Sequence, residues 1–273
     1  MVTEIAEVSG ARVSGVLFDV DDTLVDTKGA FRHALAGVAR QYLTADAGLA
    51  AVALFWRADR HGSYRAHTRG EMDHREQRKR RANDLHAEFG GPLLDDDAYD
   101  SWDEVFEQSF QEGWRAHDDA AACLDALDAA GIPYGALSNA RFDYQRQKLH
   151  AVGLERVPML VGVDTLGFGK PDPRVFHLAA EKLGLDPGAI AYVGDEYDID
   201  AVAAARAGLK GVWIDRSGDI QSDDANNVAP SVGESEQNPT LRIGSLEALL
   251  AAIGASASGA KALVLDEAKN TLK

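Results

Sequence analysis

The chain has a single cysteine, Cys123, so no disulfide can close within it. Its setting among Ala and Leu in a helical pattern reads as a buried structural thiol. No stretch approaches the roughly 20 uninterrupted apolar residues that a membrane helix requires, which excludes a helical span. The first residues, Met1 to Arg12, lack the basic start and apolar run of a secretory signal, so a cytoplasmic protein is expected. Positive charge is also scarce: 28 Lys and Arg against 44 Asp and Glu give a formal net charge of −16, which argues against a general nucleic-acid binder. With 8 prolines, 45% hydrophobic and 26% charged residues, the composition is that of an ordinary globular protein. A length of 273 residues allows one large domain or a core domain carrying a smaller one.

What is present is an alternation. The apolar run from Val13 to Val20 stops in a cluster of carboxylates and reads as a buried strand. Similar runs recur at Ile132–Leu137, Val157–Val163, Ala189–Val193 and Lys210–Ile214. Between them lie helical patterns. Cys123, Leu124, Leu127 and Ala130 form one stripe, with Asp118 as its expected N-cap and Gly131 as its stop. Asp172-Pro173 opens another, carried by Val175, Phe176, Ala179, Ala180 and Leu183 and closed by Gly184. Strands alternating with helices imply an α/β fold, a Rossmann-like, doubly wound parallel sheet whose ligands bind at the carboxyl ends of the strands.

From Thr27 to Trp114 the patterns are helical throughout, which predicts an all-helical insertion, residues 27–114, over the carboxyl edge of a core built from 1–26 and 115–254. Residues 217–239 are polar and aperiodic and read as a flexible loop. Order is expected again at Leu241-Arg242-Ile243 and in a short helix from Ser245 to Ile253, and 255–273 as a frayed or disordered tail.

Four segments place polar residues at or soon after a strand end. In Asp19-Val20-Asp21-Asp22-Thr23, two carboxylates can divide labour, Asp19 attacking phosphorus and Asp21 handling the proton of the leaving oxygen. Asp and Thr also form caps and turns without any chemistry. Ser138-Asn139 can hold phosphate oxygens, or simply cap the next helix. Lys170, between Gly169 and Pro171, can supply a fixed positive charge. Val193-Gly194-Asp195 with Asp198 and Asp200 offers hard oxygen ligands of the kind that suit Mg²⁺.

In this order the four segments resemble the haloacid dehalogenase superfamily, whose phosphatases carry an Asp-x-Asp-x-Thr strand end, then Ser or Thr, then Lys, then Gly-Asp with further acidic residues. The resemblance spans Val13 to about Arg216 and implies a phosphatase acting on a small phosphorylated metabolite with Mg²⁺ as cofactor. It implies Asp19 as nucleophile, Asp21 as general acid/base and Lys170 steadying both Asp19 and the phosphoryl charge. Thr23, Ser138 and Asn139 would serve the substrate side. Asp19, the Asp21 carbonyl, Asp195 and Asp200 would serve the metal, with the identity of the second metal carboxylate open. Asp22 departs from the Gly that many members have there. A dehalogenase would lack Asp21; a phosphomutase, or a binding module that lost turnover, shares the fold.

Between Arg57 and Arg81 stand nine basic residues against four acidic ones. Arg57, Arg60, His61, Arg65 or Arg69 would recognise an acidic substrate, or the run is a solvated helix face with i,i+4 pairs such as Asp73 with Arg69 and Glu76 with Arg80; charge runs usually face water.

Overall fold

The computed structural model describes residues 13–44, 46–68, 71–216 and 240–254. The loop expected over 217–239, the tail over 255–273 and Arg69 of the basic run lie outside the described residues. The chain divides into two compact units, one of Met1–Val25 with Ala116–Lys273, the other of Asp26–Arg115.

The first unit is built on a six-stranded sheet in the order β3-β2-β1-β4-β5-β6, parallel throughout. The strands are β1 Gly15–Phe18, β2 Tyr134–Leu137, β3 Leu160–Val161, β4 Ile190–Gly194, β5 Lys210–Ile214 and β6 Leu241–Ile243. Side chains alternate across a strand, and here both faces are apolar. Val16, Phe18, Ala136, Ala191, Val193, Val212 and Ile214 enter one core cluster, which also takes in residues of 120–130, 149–154 and 246–253. Leu17, Leu137, Ile190 and Tyr192 enter another with residues of 175–180 and 203–209. Burial on both faces is why the strands read as continuous apolar runs rather than alternating ones.

Helices cover both faces: α6 Ala120–Ala130, α7 Phe142–Ala151, α8 Pro173–Leu183, the single turns α9 Ala203–Arg206 and α10 Leu249–Ala252 (α1–α5 belong to the other unit). Helix α8 begins as its sequence dictates, with the Asp172 carboxylate accepting from Arg174 N–H and Pro173 in the first turn, and ends at Gly184 in the left-handed region at φ 75°. The cap of α6 differs from expectation. It is Asp119, not Asp118, that precedes the helix, and its carboxylate makes no capping bond; it accepts instead from both guanidinium nitrogens of Arg216 at 2.9 and 3.0 Å and from Leu246 N–H at 2.8 Å. Cys123 is buried, and burial pushes its thiol up to about 12. The helix expected over Ser245–Ile253 is a 3₁₀ turn followed by α10.

The second unit contains five helices: α1 Thr27–Tyr42, α2 Leu49–Ala58, α3 Ser63–Thr68, α4 His74–Phe89 and α5 Asp96–Glu112. Helix α5 carries Tyr99, Trp102, Phe106 and Phe110 at helical spacing, all buried. Trp102 stacks on Phe106 with centroids 5.1 Å apart, and Trp56 of α2 meets Phe106 at 5.4 Å. The basic run lies largely on α4, and its cations meet acids of the same unit. Arg75 pairs with Asp100 and Asp96, Arg78 with Asp103 at 3.1 Å and Glu107 at 3.4 Å, Lys79 with Asp96 at 2.7 Å, and Arg80 with Glu76. Asp73, expected in an i,i+4 pair, caps α4 by accepting from Glu76 N–H at 2.8 Å.

Among the described residues no helix is long and apolar enough to cross a membrane.

Candidate active site

The strand order places β1 and β4 side by side although β2 and β3 intervene in sequence, so the winding direction reverses between them. A crevice opens at such a reversal, outside the carboxyl ends of the strands. Asp19 follows the last residue of β1, and its N–H donates to Val193 O of β4 at 2.8 Å. Asp195 follows the last residue of β4. Two carboxylates are thus delivered to one point by strands whose register the core fixes.

After Asp19 the chain turns tightly. Leu24 and Val25 N–H both donate to Val20 O, and Asp22 N–H donates to Val25 O at 2.7 Å. Asp22 has φ 57°, the left-handed region that glycine takes freely and aspartate tolerates better than most residues. Its departure from the family's Gly is therefore compatible with the same turn. Thr23, expected on the substrate side, is instead wholly enclosed. Its hydroxyl has no hydrogen-bond partner among the described residues, and its carbonyl accepts from Arg216 Nη2 at 2.8 Å.

Lys170 is buried, and its Nζ donates to Asp19 Oδ1 at 2.6 Å and to Asp200 Oδ1 at 2.7 Å. Its backbone is held by Asn139 from both sides: Lys170 N–H donates to Asn139 Oδ1 at 2.6 Å and Asn139 Nδ2 donates to Lys170 O at 2.9 Å. A Cβ on Gly169 would lie 2.2 Å from Asn139 Oδ1, so glycine is what lets the two loops approach. The Lys170–Pro171 peptide bond is cis. Asn139, expected to contact phosphate, thus commits its side-chain amide to placing the lysine.

Asp200 is fully enclosed in a turn of π-helix, Tyr197–Val202. Besides Lys170, it accepts from Tyr192 OH at 3.3 Å and from Glu196 N–H at 3.0 Å. Gly194 permits this packing, since a Cβ there would sit 2.3 Å from the Asp200 carboxyl carbon.

Carboxylate oxygens of Asp19, Asp195 and Asp200 all lie within 4.8 Å of one another. Burial pushes the Asp19 carboxyl well above the usual range; Lys170 opposes this, and Asp200, Asp21 and Asp195 add to it. Burial also works against the Lys170 ammonium, but Asp19 and Asp200 outweigh it and hold its pKa well above that of an ordinary lysine. Three carboxylates face one ammonium, so the lysine stays charged, while burial and the neighbouring carboxylates disfavour the charged form of Asp19. An all-oxygen, net-negative set of this kind fits a hard divalent cation such as Mg²⁺. Asp200, and not Asp198, shares this cluster with Asp19 and Asp195.

Asp21, half-buried on the turn after Asp19, is met from α7. Lys148 Nζ donates to its Oδ1 at 2.6 Å and Gln145 Nε2 to its Oδ2 at 2.5 Å. The same Gln145 Nε2 lies 2.8 Å from Ser138 Oγ, which also accepts from Ala140 N–H at 3.1 Å. Gln145, Lys148 and Tyr192 were not expected from sequence. The available signal was spacing: Gln145 and Lys148 share a helix face with the buried Leu149 and the partly buried Val152, where a polar residue interrupts an apolar stripe.

The family model described as haloacid dehalogenase-like hydrolase matches residues 13–208. The chain is 34% identical over 146 residues to phosphoserine phosphatase of Thermus thermophilus, covering 52% of this chain and 54% of that protein. It is 34% identical over 104 residues to (S)-2-haloacid dehalogenase 4A of Burkholderia cepacia, covering 38% and 45%. The chain therefore spans about half the length of these curated relatives. Among solved structures, the putative HAD-hydrolase YfnB from Bacillus subtilis bound to magnesium superposes with a TM-score of 0.70 at 22% identity, covering 89% of this chain and 99% of that one.

Proposed function

The chain belongs to the haloacid dehalogenase-like hydrolases, and on that premise we propose that it is a magnesium-dependent phosphatase acting on a small phosphorylated metabolite. The observation that carries the proposal is Asp21. A second carboxylate on the same turn as Asp19, with donors on both of its oxygens, has a task in phosphate ester cleavage and none in displacing a halide, which leaves without a proton.

In this reading the Asp19 carboxylate attacks phosphorus, an Asp19–phosphoryl bond forms, and the bond to the ester oxygen breaks as Asp21 delivers a proton to the departing alkoxide. Water then attacks the aspartyl phosphate, Asp21 takes its proton, and Asp19 and inorganic phosphate are regenerated. Lys170, 2.6 Å from Asp19 Oδ1, orients the nucleophile and offsets charge that gathers on the phosphoryl oxygens. Ser138, at the end of β2, supports the phosphate, and Asn139 supports it through the placement of Lys170. A bound Mg²⁺, held by the Asp19 and Asp195 carboxylates and the Asp21 carbonyl with Asp200 beside them, would neutralise the repulsion between one anion and another.

The test uses 4-nitrophenyl phosphate with and without Mg²⁺. Wild-type protein hydrolyses it, chelation stops the reaction, and Asp19→Asn lowers the rate by about 10³-fold or more, the scale of losing a covalent nucleophile. Turnover that persists in Asp19→Asn, or release of chloride from 2-chloropropionate in place of phosphate ester hydrolysis, overturns the proposal. A panel of phosphorylated sugars, acids and nucleotides, read as released phosphate, then identifies the ester.

A further inference from the structure

Accepting the phosphatase reading, we propose that Lys148 and Gln145, both on α7, are positioning residues for the proton-transfer carboxylate, holding Asp21 in register with Ser138. The argument starts from burial. Gln145 is fully enclosed and Lys148 nearly so, 0% and 2% exposed, and charged or amide side chains are seldom enclosed without a partner that needs them. The partners are remote in sequence. Gln145 Nε2 reaches Asp21 across 124 residues and Lys148 Nζ reaches it across 127.

The two contacts divide the carboxylate. Lys148 takes Oδ1 and Gln145 takes Oδ2, so the plane of the group is set by two donors approaching from one helix. Gln145 does more, because the same NH₂ lies against Ser138 Oγ. The proton-transfer group and the phosphate-side hydroxyl thereby share one amide.

The orientation of that amide is decided by chemistry. Reversing it would set the amide oxygen against a carboxylate, so the NH₂ faces Asp21. The consequence is a buried Oε1 with no hydrogen-bond partner among the described residues. An apolar side chain of the same shape would spare the fold that orphaned acceptor; what it could not do is hold Asp21.

Proton delivery matters in proportion to the basicity of the leaving group. Steady-state kcat/KM is therefore measured with phenyl phosphate, whose leaving oxygen needs a proton, and with 2,4-dinitrophenyl phosphate, whose leaving group departs as the anion. Lys148→Met lowers kcat/KM by about tenfold or more for phenyl phosphate and by less than about threefold for the dinitrophenyl ester, a fraction of the full general-acid effect. Lys148→Arg recovers most of the loss. In an Asp21→Asn background, Lys148→Met has no further effect, since the group it positions is gone. Gln145→Met is read in the same way and serves if Lys148→Met does not fold.

Equal losses on both esters, no loss on either, or an undiminished effect in the Asp21→Asn background overturns the assignment, as does failure of both variants to fold. Wild-type protein that turns over neither ester removes the phosphatase reading itself. Wild-type turnover with unselective variants removes only this inference.

Discussion

Two regions of this molecule are crowded with charge, and they differ in water. On α4 and α5 the pairs are largely solvated: the Arg75 and Asp100 side chains are 48% and 58% exposed, those of Arg80 and Glu76 58% and 45%. At the sheet's carboxyl end the same chemical types are enclosed, Lys170 at 4%, Asp19 at 7% and Asp200 at 1%. Exposed pairs contribute about 0–1 kcal/mol each, since water screens them and side-chain entropy opposes them. Enclosed charges have lost their hydration and depend on each other, so removing one leaves the rest uncompensated. Charge density along the chain is thus a poor guide to chemistry. The cations that α4 brings to the densest basic run pair within their own helical unit, whereas one lysine after Gly169 joins two enclosed carboxylates.

The sharpest way to break this contrast is Lys170→Met. It leaves the Asp19 and Asp200 carboxylates facing each other without their cation, and urea denaturation at pH 7 in chelator is expected to show a loss of about 3–5 kcal/mol together with loss of turnover. If the variant is as stable as wild type, enclosure does not distinguish the two regions. Asp119→Asn comes next. The carboxylate holds Arg216 and Leu246 N–H, and about 2 kcal/mol is expected from loosening a part-buried, charge-assisted network.

Asp119 also makes a pH signature. Burial pushes its carboxyl up, but the hydrogen bonds from Arg216 and Leu246 N–H more than offset this, and its folded pKa is lowered. A depressed folded pKa contributes stability that is complete above the unfolded aspartate value of about 3.9 and fades as pH falls through the lower folded value. The stability difference between wild type and Asp119→Asn is therefore expected to be constant from pH 5 to 7 and to shrink below about pH 3.9. A difference that grows on acidification refutes the assignment.

The strands were legible because apolar runs ended in chemically distinctive residues: Phe18 runs into Asp19, Leu137 into Ser138, Val193 into Gly194 and Asp195. Those short signals are local, and the sheet topology assembles them without further information. Three features were not legible. That the Asn139 amide bonds the Lys170 backbone depends on two loops meeting across 31 residues. The role of α7 depends on Gln145 and Lys148 turning inward, while polar residues on a helix ordinarily read as solvated. The partners of Arg75, Arg78 and Lys79 lie mainly on the next helix, 17 to 29 residues onward, where i,i+4 reasoning does not look. Each miss is a long-range contact made by a polar side chain, the kind that periodicity leaves unspecified. Asp22 shows the converse. Its difference from glycine looked like a departure in sequence and is absorbed by a backbone angle that both residues accept.

Within the helical unit the contrast itself can be graded. Arg78 is only 14% exposed, pairs with Asp103 and Glu107 and lies over the Phe106 ring at 4.9 Å. Arg78→Met keeps the apolar stem against the ring and removes the charge, so a loss of about 1 kcal/mol is expected by urea denaturation, between the buried and exposed extremes. Arg80→Gln is the mildest change. Glutamine preserves helix propensity, so the variant reports the exposed i,i+4 pair with Glu76 almost alone, and a loss of no more than about 0.5 kcal/mol is expected. At about 1 M salt, where the screening length falls to about 3 Å, that loss should vanish, while the loss in Lys170→Met should largely persist because an enclosed pair is screened far less than an exposed one. If salt erased both differences alike, hydration would not be what separates the two regions, and the site's charges would be as replaceable as those of the helical face.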